Sequence, residues 1–129
     1  MAHRIGIDAV SFERVGKLST SFINHYYSQS EIIEYNKLNN NATKLEFLAS
    51  RYAAKEALLK ALGTGLKGFA LNEISLNKKE NGEPYLQLSG NVLAYLDENF
   101  KKAKIEVSIT HESPLAIAIV SLDFGDTNE

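Results

Sequence analysis

Apolar positions change their period along this chain, and the changes mark out its elements. Residues 4–10, RIGIDAV, alternate, with Ile5, Ile7 and Ala9 on one side and Gly6, Asp8 and Val10 on the other. That two-residue period predicts a strand. From residue 11 the spacing lengthens, and Phe12, Val15, Leu18, Phe22 and Tyr26 recur as on one helix face. A second helical piece opens at Ser30-Glu31, carries Ile32, Ile33 and Tyr35, and runs to residue 37 before Asn39-Asn40-Asn41 interrupts it. Thr43 with Glu46 three residues later makes a capping-box pattern for a further helix, which continues to Leu62 and stops at Gly63.

The second half returns to the shorter period. Residues 72–78, NEISLNK, and 84–89, PYLQLS, flank Asn81-Gly82, a strong hairpin signal. Residues 92–100 predict a short helix, and 104–111 a strand with Ile105, Val107 and Ile109 inward. Residues 115–122, LAIAIVSL, are apolar almost throughout and follow through the turn 111–114. These elements predict one α+β domain over residues 1–129: a mainly antiparallel sheet packed with a long central helix. The N-terminal strand is expected to join the sheet from a distance. No repeat, low-complexity segment or linker divides the chain.

Composition narrows the function classes. At 129 residues with 44% apolar and 23% charged side chains, the chain is long enough for one core. No apolar run approaches the roughly 18–20 residues of a spanning helix, and MAHRIGIDAV lacks the layout of a secretory signal. Cysteine is absent, which rules out disulfides and thiolate metal sites and fits a cytoplasmic location. A net charge of −2 argues against nucleic acid as the main partner. The charge is uneven, however. Lys44, Arg51, Lys55, Lys60 and Lys67 stand against only Glu46 and Glu56 in the middle of the chain, which favours an anionic ligand there. The tail from Asp123 to Glu129 carries acids and no base.

The middle stretch, RYAAKEALLKALGTGL, concentrates the candidate chemistry. Glu56 and Lys60 lie four apart on one helix face. Alone they are an ordinary surface ion pair of about 0.2–0.5 kcal/mol. Gly63 extends that face, and Gly63-Thr64-Gly65 lets backbone come close to an anion. A carboxylate, an ammonium and a glycine turn suit a phosphate held through a divalent metal. Asp8, unusual in a strand, either ends or caps its element or pairs with Glu56 as a second oxygen ligand for Mg²⁺. His111 is either a turn residue or a donor to phosphate. His3 and His25 have no comparable context. Zinc-type, Gly-x-Ser-x-Gly and P-loop patterns are absent.

Gly6-Ile7-Asp8, Arg51-Tyr-Ala-Ala-Lys-Glu56-Ala-Leu-Leu-Lys60-Ala-Leu-Gly-Thr-Gly65 and Ser108-Ile-Thr-His111 together resemble the holo-[acyl-carrier-protein] synthases. These are small single-domain 4′-phosphopantetheinyl transferases. The likeness runs in order from Gly6 to about Ser121 and includes Phe22, Ser30-Glu31 and Gly82-Glu-Pro84-Tyr. It implies transfer of the 4′-phosphopantetheine arm of coenzyme A to a serine of an apo acyl carrier protein, with release of adenosine 3′,5′-bisphosphate. It implies Mg²⁺ held by Asp8 and Glu56, with Lys60 neutralising phosphate charge. It also implies close backbone approach at Gly63, Thr64 and Gly65. Arg51 and His111 fall where the family contacts coenzyme A phosphates, and Pro84 where it lines the nucleotide site. The serine proton needs a base, either Glu56 or a metal-bound water oriented by Asp8 or Glu56. The resemblance further implies a homotrimer with coenzyme A sites shared between subunits.

One stretch departs from the family. Its first helix is usually rich in arginine and docks the acidic carrier, whereas FERVGKLSTSFINHYYSQSE has only Arg14 and Lys17, with His25 at a further basic position. Steering of an acidic partner is expected to be weaker. Docking through Leu18, Phe22 and Ile23, or a less acidic carrier in a specialised assembly line, would accommodate this. Strand one also lacks the acid often found shortly after the aspartate, and Glu13 is the nearest residue of that type. The rival readings are a non-catalytic coenzyme A or nucleotide-binding module and a metal-dependent phosphohydrolase acting on coenzyme A itself.

Overall fold

The longest element of the computed structural model, which describes residues 2–65 and 68–125, is the helix spanning Asn41–Leu62. Ala49, Ala53, Ala54, Ala57 and Ala61 on this helix are all buried, and such small side chains let its backbone lie close against a sheet. Asn40 opens it, its side-chain oxygen accepting from the N–H groups of Ala42 (2.8 Å) and Thr43 (3.2 Å). The cap therefore falls three residues before the expected Thr43, because an asparagine carbonyl satisfies two orphan donors at once. Gly63 ends the helix in the left-handed conformation, φ 78°, as expected.

Three short helices precede it where two were expected: α1 (Phe12–Gly16), α2 (Thr20–Tyr26) and α3 (Gln29–Asn36), so the long helix is α4. Each is opened by a serine. Ser11, Ser19 and Ser28 accept from the N–H of Arg14, Phe22 and Glu31 respectively. A serine hydroxyl every eight or nine residues offers the backbone a local alternative to continuing the helix. The third helix begins from Ser28, two residues before the expected Ser30, in a reciprocal capping box with Glu31.

Strands β1 (Ala2–Ser11), β4 (Lys101–Glu112) and β5 (Leu115–Gly125) form one antiparallel sheet in the order β1-β5-β4. Gly6 faces Val120 and Asp8 faces Ala118 across the first pair. Strands β2 (Ile74–Lys78) and β3 (Pro84–Leu88) form a separate antiparallel hairpin around Asn81-Gly82. The antiparallel α+β architecture is thus as expected, but split into two sheets. Residues 71–73, partly read as strand, make a single 3-10 turn instead. Helix α5 (Gly90–Asn99) links β3 to β4.

Helix α4 covers one face of the larger sheet, against Val10, Ala116, Ala118, Val120 and Leu122, all nearly inaccessible to solvent. Gly6 marks the closest approach. A Cβ there would stand 1.9 Å from the carbonyl oxygen of Ala57 and 2.7 Å from the N–H nitrogen of Ala61. Backbone cannot yield as a flexible side chain can. Gly6→Ala should therefore cost at least the upper end of the roughly 1–3 kcal/mol typical of overpacking, measured by urea denaturation; a loss below about 1 kcal/mol would refute this close contact.

The opposite face of the same sheet carries exposed Ile5 (67%), Ile7 (56%), Ile117 and Ile119. Segment 115–122 is apolar because both of its faces are, with Ala116, Ala118 and Val120 turned to α4 and the isoleucines turned away. The basic Lys67 and most of the acidic tail (Asp126–Glu129) lie outside the described residues.

Candidate active site

Asp8 projects from the face of β1 that meets α4, and Lys60 reaches it from the last turn of the helix. The Lys60 ammonium donates to Asp8 Oδ1 (3.0 Å) and to the carbonyl of Ile7 (3.0 Å). The other oxygen, Asp8 Oδ2, is buried with no hydrogen-bond donor. Glu56 lies one turn earlier on α4, and its Oε2 accepts from the hydroxyl of Tyr26 (3.1 Å). Tyr26 stacks on Tyr52 (4.7 Å between centroids). Burial pushes the Tyr52 phenol up, Arg14 opposes this, and the charges of Glu56 and Asp8 add to the rise. Asp8 and Lys60 are thus directly paired, while Glu56, one turn along the same helix face as Lys60, is held by Tyr26.

These groups fit a hard divalent cation. Asp8 offers a buried carboxylate oxygen with no donor, and a buried acceptor left unpaired is costly unless a cation or water completes it. The donors are oxygens alone. Among the described residues no group of three or more His, Cys, Asp or Glu gathers in one place. Mg²⁺ commonly takes one or two carboxylates and leaves its other positions to water and substrate phosphate. Asp8 and Glu56 are the residues that would hold it.

The glycine turn follows on the same end of α4. Gly63 donates to the carbonyls of Leu59 (2.9 Å) and Lys60 (3.2 Å), and Thr64 N–H to Leu59 (3.4 Å), so these donors close the helix. The Thr64 hydroxyl donates to the carbonyl of Gly65 (3.2 Å), and Gly65 also has a positive φ, 62°. Sequence reasoning passed over Arg4, whose guanidinium lies over the ring of Phe100 and so close to Gly63 that a Cβ there would be 2.4 Å away.

Arg51, Pro84 and His111 line a different place, a cleft of about 830 Å³ between α3, α4 and the β2–β3 hairpin. Arg51 stacks over Phe47 (3.9 Å to the centroid) and donates from Nη1 to Ser50 Oγ (3.0 Å), while its Nε is buried without a partner. Burial lowers its pKa, against the raising influence of Glu31. His111 approaches Glu46 at 3.9 Å on the rim. None of Asp8, Glu56, Lys60 or Gly63–Gly65 lines this cleft. Five residues separate Arg51 from Glu56, a rotation of about 140° around the helix axis. One chain therefore presents the two groups of candidate residues on different faces of α4.

Lys55, the other cation in the middle stretch, serves the core. Its ammonium pairs with Glu31 Oε1 at 2.6 Å, and both side chains are fully buried. It also donates to the carbonyls of Leu71 and Ile74. Three acceptors match the three protons of an ammonium, and Glu31 opposes the lowering of the Lys55 pKa by burial. The first helices carry little free positive charge. Arg14 donates to the hydroxyl of Tyr52 (2.8 Å) and lies over its ring, and Lys17 pairs with Glu13 (3.1 Å). Of the apolar docking candidates, Ile23 is in the core and Leu18 packs against it, whereas Phe22 is 38% exposed.

A split α+β sheet clasped by a long alanine-rich helix, with two carboxylates and a lysine where strand and helix meet, is the setting of a phosphate-handling transferase. The family model described as the 4′-phosphopantetheinyl transferase superfamily matches residues 4–120, and the chain belongs to that family. Within it the relatives are holo-[acyl-carrier-protein] synthases. The one from Halothermothrix orenii is 40% identical over 93% of this chain and 96% of its own. Among solved structures, the Chronobacterium ammoniagenes synthase–coenzyme A complex superposes with a TM-score of 0.87 at 25% identity, over 98% of this chain and 100% of that one. The Bacillus anthracis synthase, in complex with coenzyme A (3′,5′-ADP), gives 0.79 at 29% identity over 95% and 96%. Among the described residues no helix is long and apolar enough to cross a membrane.

Proposed function

We propose that this chain transfers the 4′-phosphopantetheine group of coenzyme A to a serine of an apo acyl carrier protein, in a Mg²⁺-dependent reaction that releases adenosine 3′,5′-bisphosphate. The observation that carries this reading is the unpartnered buried oxygen of Asp8, whose other oxygen is paired with Lys60 one helical turn from Glu56. Bound there, Mg²⁺ would supply charge neutralisation on the pyrophosphate and its leaving group. Asp8 and Glu56 hold the cation. Lys60, half exposed and already tethered to Asp8, offsets phosphate charge from the helix side. The serine oxygen forms a bond to the pantetheine-side phosphorus, and the bond to the bridging oxygen breaks, its electron pair leaving with the bisphosphate. The serine proton passes to Glu56 or to water that the two carboxylates orient. Positioning and electrostatics carry most of such a reaction. The setting we infer is the cytoplasm, in fatty acid biosynthesis.

Gly63, Thr64 and Gly65 add no bulky side chain of their own at the end of α4, beside the phosphates, where Arg4 packs against Gly63. Arg51 and His111 contribute positive donors and Pro84 an apolar wall for the nucleotide end. Because one chain holds these groups on separate faces of α4, we infer that each coenzyme A site is completed by a second copy, in a homotrimer. The exposed isoleucine face of the β1-β5-β4 sheet supports this, since burying Ile5, Ile7, Ile117 and Ile119 between copies would stabilise the assembly. Mixing refolded Glu56→Gln and Arg51→Ala subunits should then restore part of the activity that either variant lacks. No restoration, or a monomer by light scattering, would refute the shared site.

The direct test is incubation with coenzyme A, Mg²⁺ and a panel of apo carrier proteins, each read by intact mass. A gain of one phosphopantetheine, lost with a chelator, is the expected result. No gain on any carrier while coenzyme A still binds would favour the non-catalytic binding module, with the depleted charge of α1 and α2 as its cause. Release of phosphopantetheine without a carrier would favour the hydrolase.

A further inference from the structure

Glu56 is held by a residue that the candidate chemistry leaves out. Tyr26, at the end of α2, donates its hydroxyl to Glu56 Oε2 across thirty residues of sequence (3.1 Å). Its ring is clamped on both sides. Phe22 stacks at 5.0 Å with 20° between planes, and Tyr52 at 4.7 Å with 19°. Tyr27 meets its edge at 5.2 Å. Tyr52 is fixed in turn by Arg14, which binds its hydroxyl and covers its ring. A glutamate on a helix otherwise has three rotatable bonds, and a metal ligand must be presented in one geometry. A phenol locked in an aromatic column anchors one carboxylate oxygen and directs the other.

We infer that Tyr26 is a positioning residue for the divalent-cation site. Its hydroxyl holds Glu56 Oε2 so that the carboxylate is presented ready-oriented beside Asp8. This rests on the reading of Asp8 and Glu56 as the cation ligands. Partners that orient metal ligands typically contribute about 10- to 100-fold in metal affinity or activity. Tyr26 belongs at the lower end of that range, because water can replace part of the hydrogen bond at a half-exposed carboxylate.

The adjacent tyrosine provides a matched control. Tyr27 is fully buried and donates its hydroxyl to the carbonyl of Leu48 (2.7 Å), away from Glu56. Tyr26→Phe and Tyr27→Phe therefore each delete one tyrosine oxygen from the same region, but only the first deletes a contact to the cation site. Mn²⁺ affinity in the presence of coenzyme A, read from the electron paramagnetic resonance of free Mn²⁺, separates them. Tyr26→Phe should raise the Mn²⁺ dissociation constant about tenfold, and Tyr27→Phe should leave it within about twofold, a factor worth only ~0.4 kcal/mol. In turnover, Tyr26→Phe should raise the KM for Mg²⁺ and recover most of its kcat at saturating Mg²⁺. A Tyr26→Phe value within twofold of the parent, or equal to that of Tyr27→Phe, overturns the inference. Glu56→Gln run in parallel tests the underlying reading. If it leaves Mn²⁺ binding unchanged, the cation site itself is wrong and the role of Tyr26 falls with it. Should Tyr26→Phe fold poorly, ¹³Cζ-tyrosine labelling of the parent provides a second readout. The Tyr26 resonance should move when Mg²⁺ is added to the coenzyme A-saturated protein, and an unmoved resonance overturns the inference.

Discussion

Glu56→Gln should reduce phosphopantetheine transfer by about 10²- to 10⁴-fold while leaving thermal unfolding within a few degrees of the parent. The amide matches the carboxylate in size, and its carbonyl oxygen can still accept from Tyr26. What it loses is the negative charge, and with it both the cation ligand and the base. Glu56 is partly buried, and its hydrogen bond from Tyr26 survives the change, so stability has little reason to fall. Initial rates by intact mass at saturating coenzyme A, with Mg²⁺ varied, give the test. A variant within tenfold of the parent at all Mg²⁺ concentrations would remove Glu56 from the reaction. Asp8→Asn should behave similarly, and its tether to Lys60 should weaken from an ion pair to a neutral-acceptor hydrogen bond.

Lys55→Met, one residue away, is expected to do the opposite: large loss of stability, little change in activity per folded molecule. The side chains are similar in length, so packing is largely conserved. The charge pair is not. Glu31 Oε1 accepts from Lys55 (2.6 Å) and from the N–H of Ser28 (2.8 Å), and Oε2 accepts from the N–H of Leu76 (3.0 Å). These bonds tie α3, α4 and β2 together. Removing the ammonium leaves Glu31 buried and uncompensated and deprives the Leu71 and Ile74 carbonyls of a donor. Breaking a buried pair from one side costs about 3–5 kcal/mol, a large share of the stability of a domain this size. Adding Glu31→Gln should recover part of the loss, since the second change removes the stranded charge. Urea denaturation checks both variants. A cost below about 1 kcal/mol for Lys55→Met would show that the pair is not the tie between these elements.

The contrast between these neighbouring residues shows where sequence reading stops. Both are charges on an alanine-rich helix, and the pattern Lys-Glu-Ala-Leu-Leu-Lys carries no mark of which points to the core. Rotation by about 100° per residue separates them, and the destination of each face depends on α3 and β2 packing against α4. Tyr26 was legible only as an apolar position at helical spacing. Its hydroxyl acquires a role because α2 folds back onto α4, a contact between residues thirty apart in sequence. Ile23 could not be told from Phe22 as a surface residue for the same reason, since both lie in one short amphipathic segment.

Sequence by itself determined the family and most local elements, though not the division of residues 11–37 into three helices or the 3-10 turn at 71–73. Strand and helix periods, the Asn81-Gly82 turn and the Gly63 stop depend on near neighbours, and the Gly6-Ile7-Asp8 and Lys55–Gly65 strings keep their spacing along the backbone. The caps of α3 and α4 fall two and three residues earlier than expected, at Ser28 and Asn40, because several Ser and Asn side chains compete for the same role. Tertiary structure alone decided that the strands divide into two sheets and that β5 turns Ala116, Ala118 and Val120 to α4 and its isoleucines away from it. It alone decided that Lys55 closes the core while Lys60 reaches Asp8. It also put Arg51, in one cleft with His111 of β4, on another face of α4 from Glu56. Each of these is a contact between segments distant in sequence. Such contacts are set by the sum of packing and charge pairing over the whole chain, which no local pattern encodes.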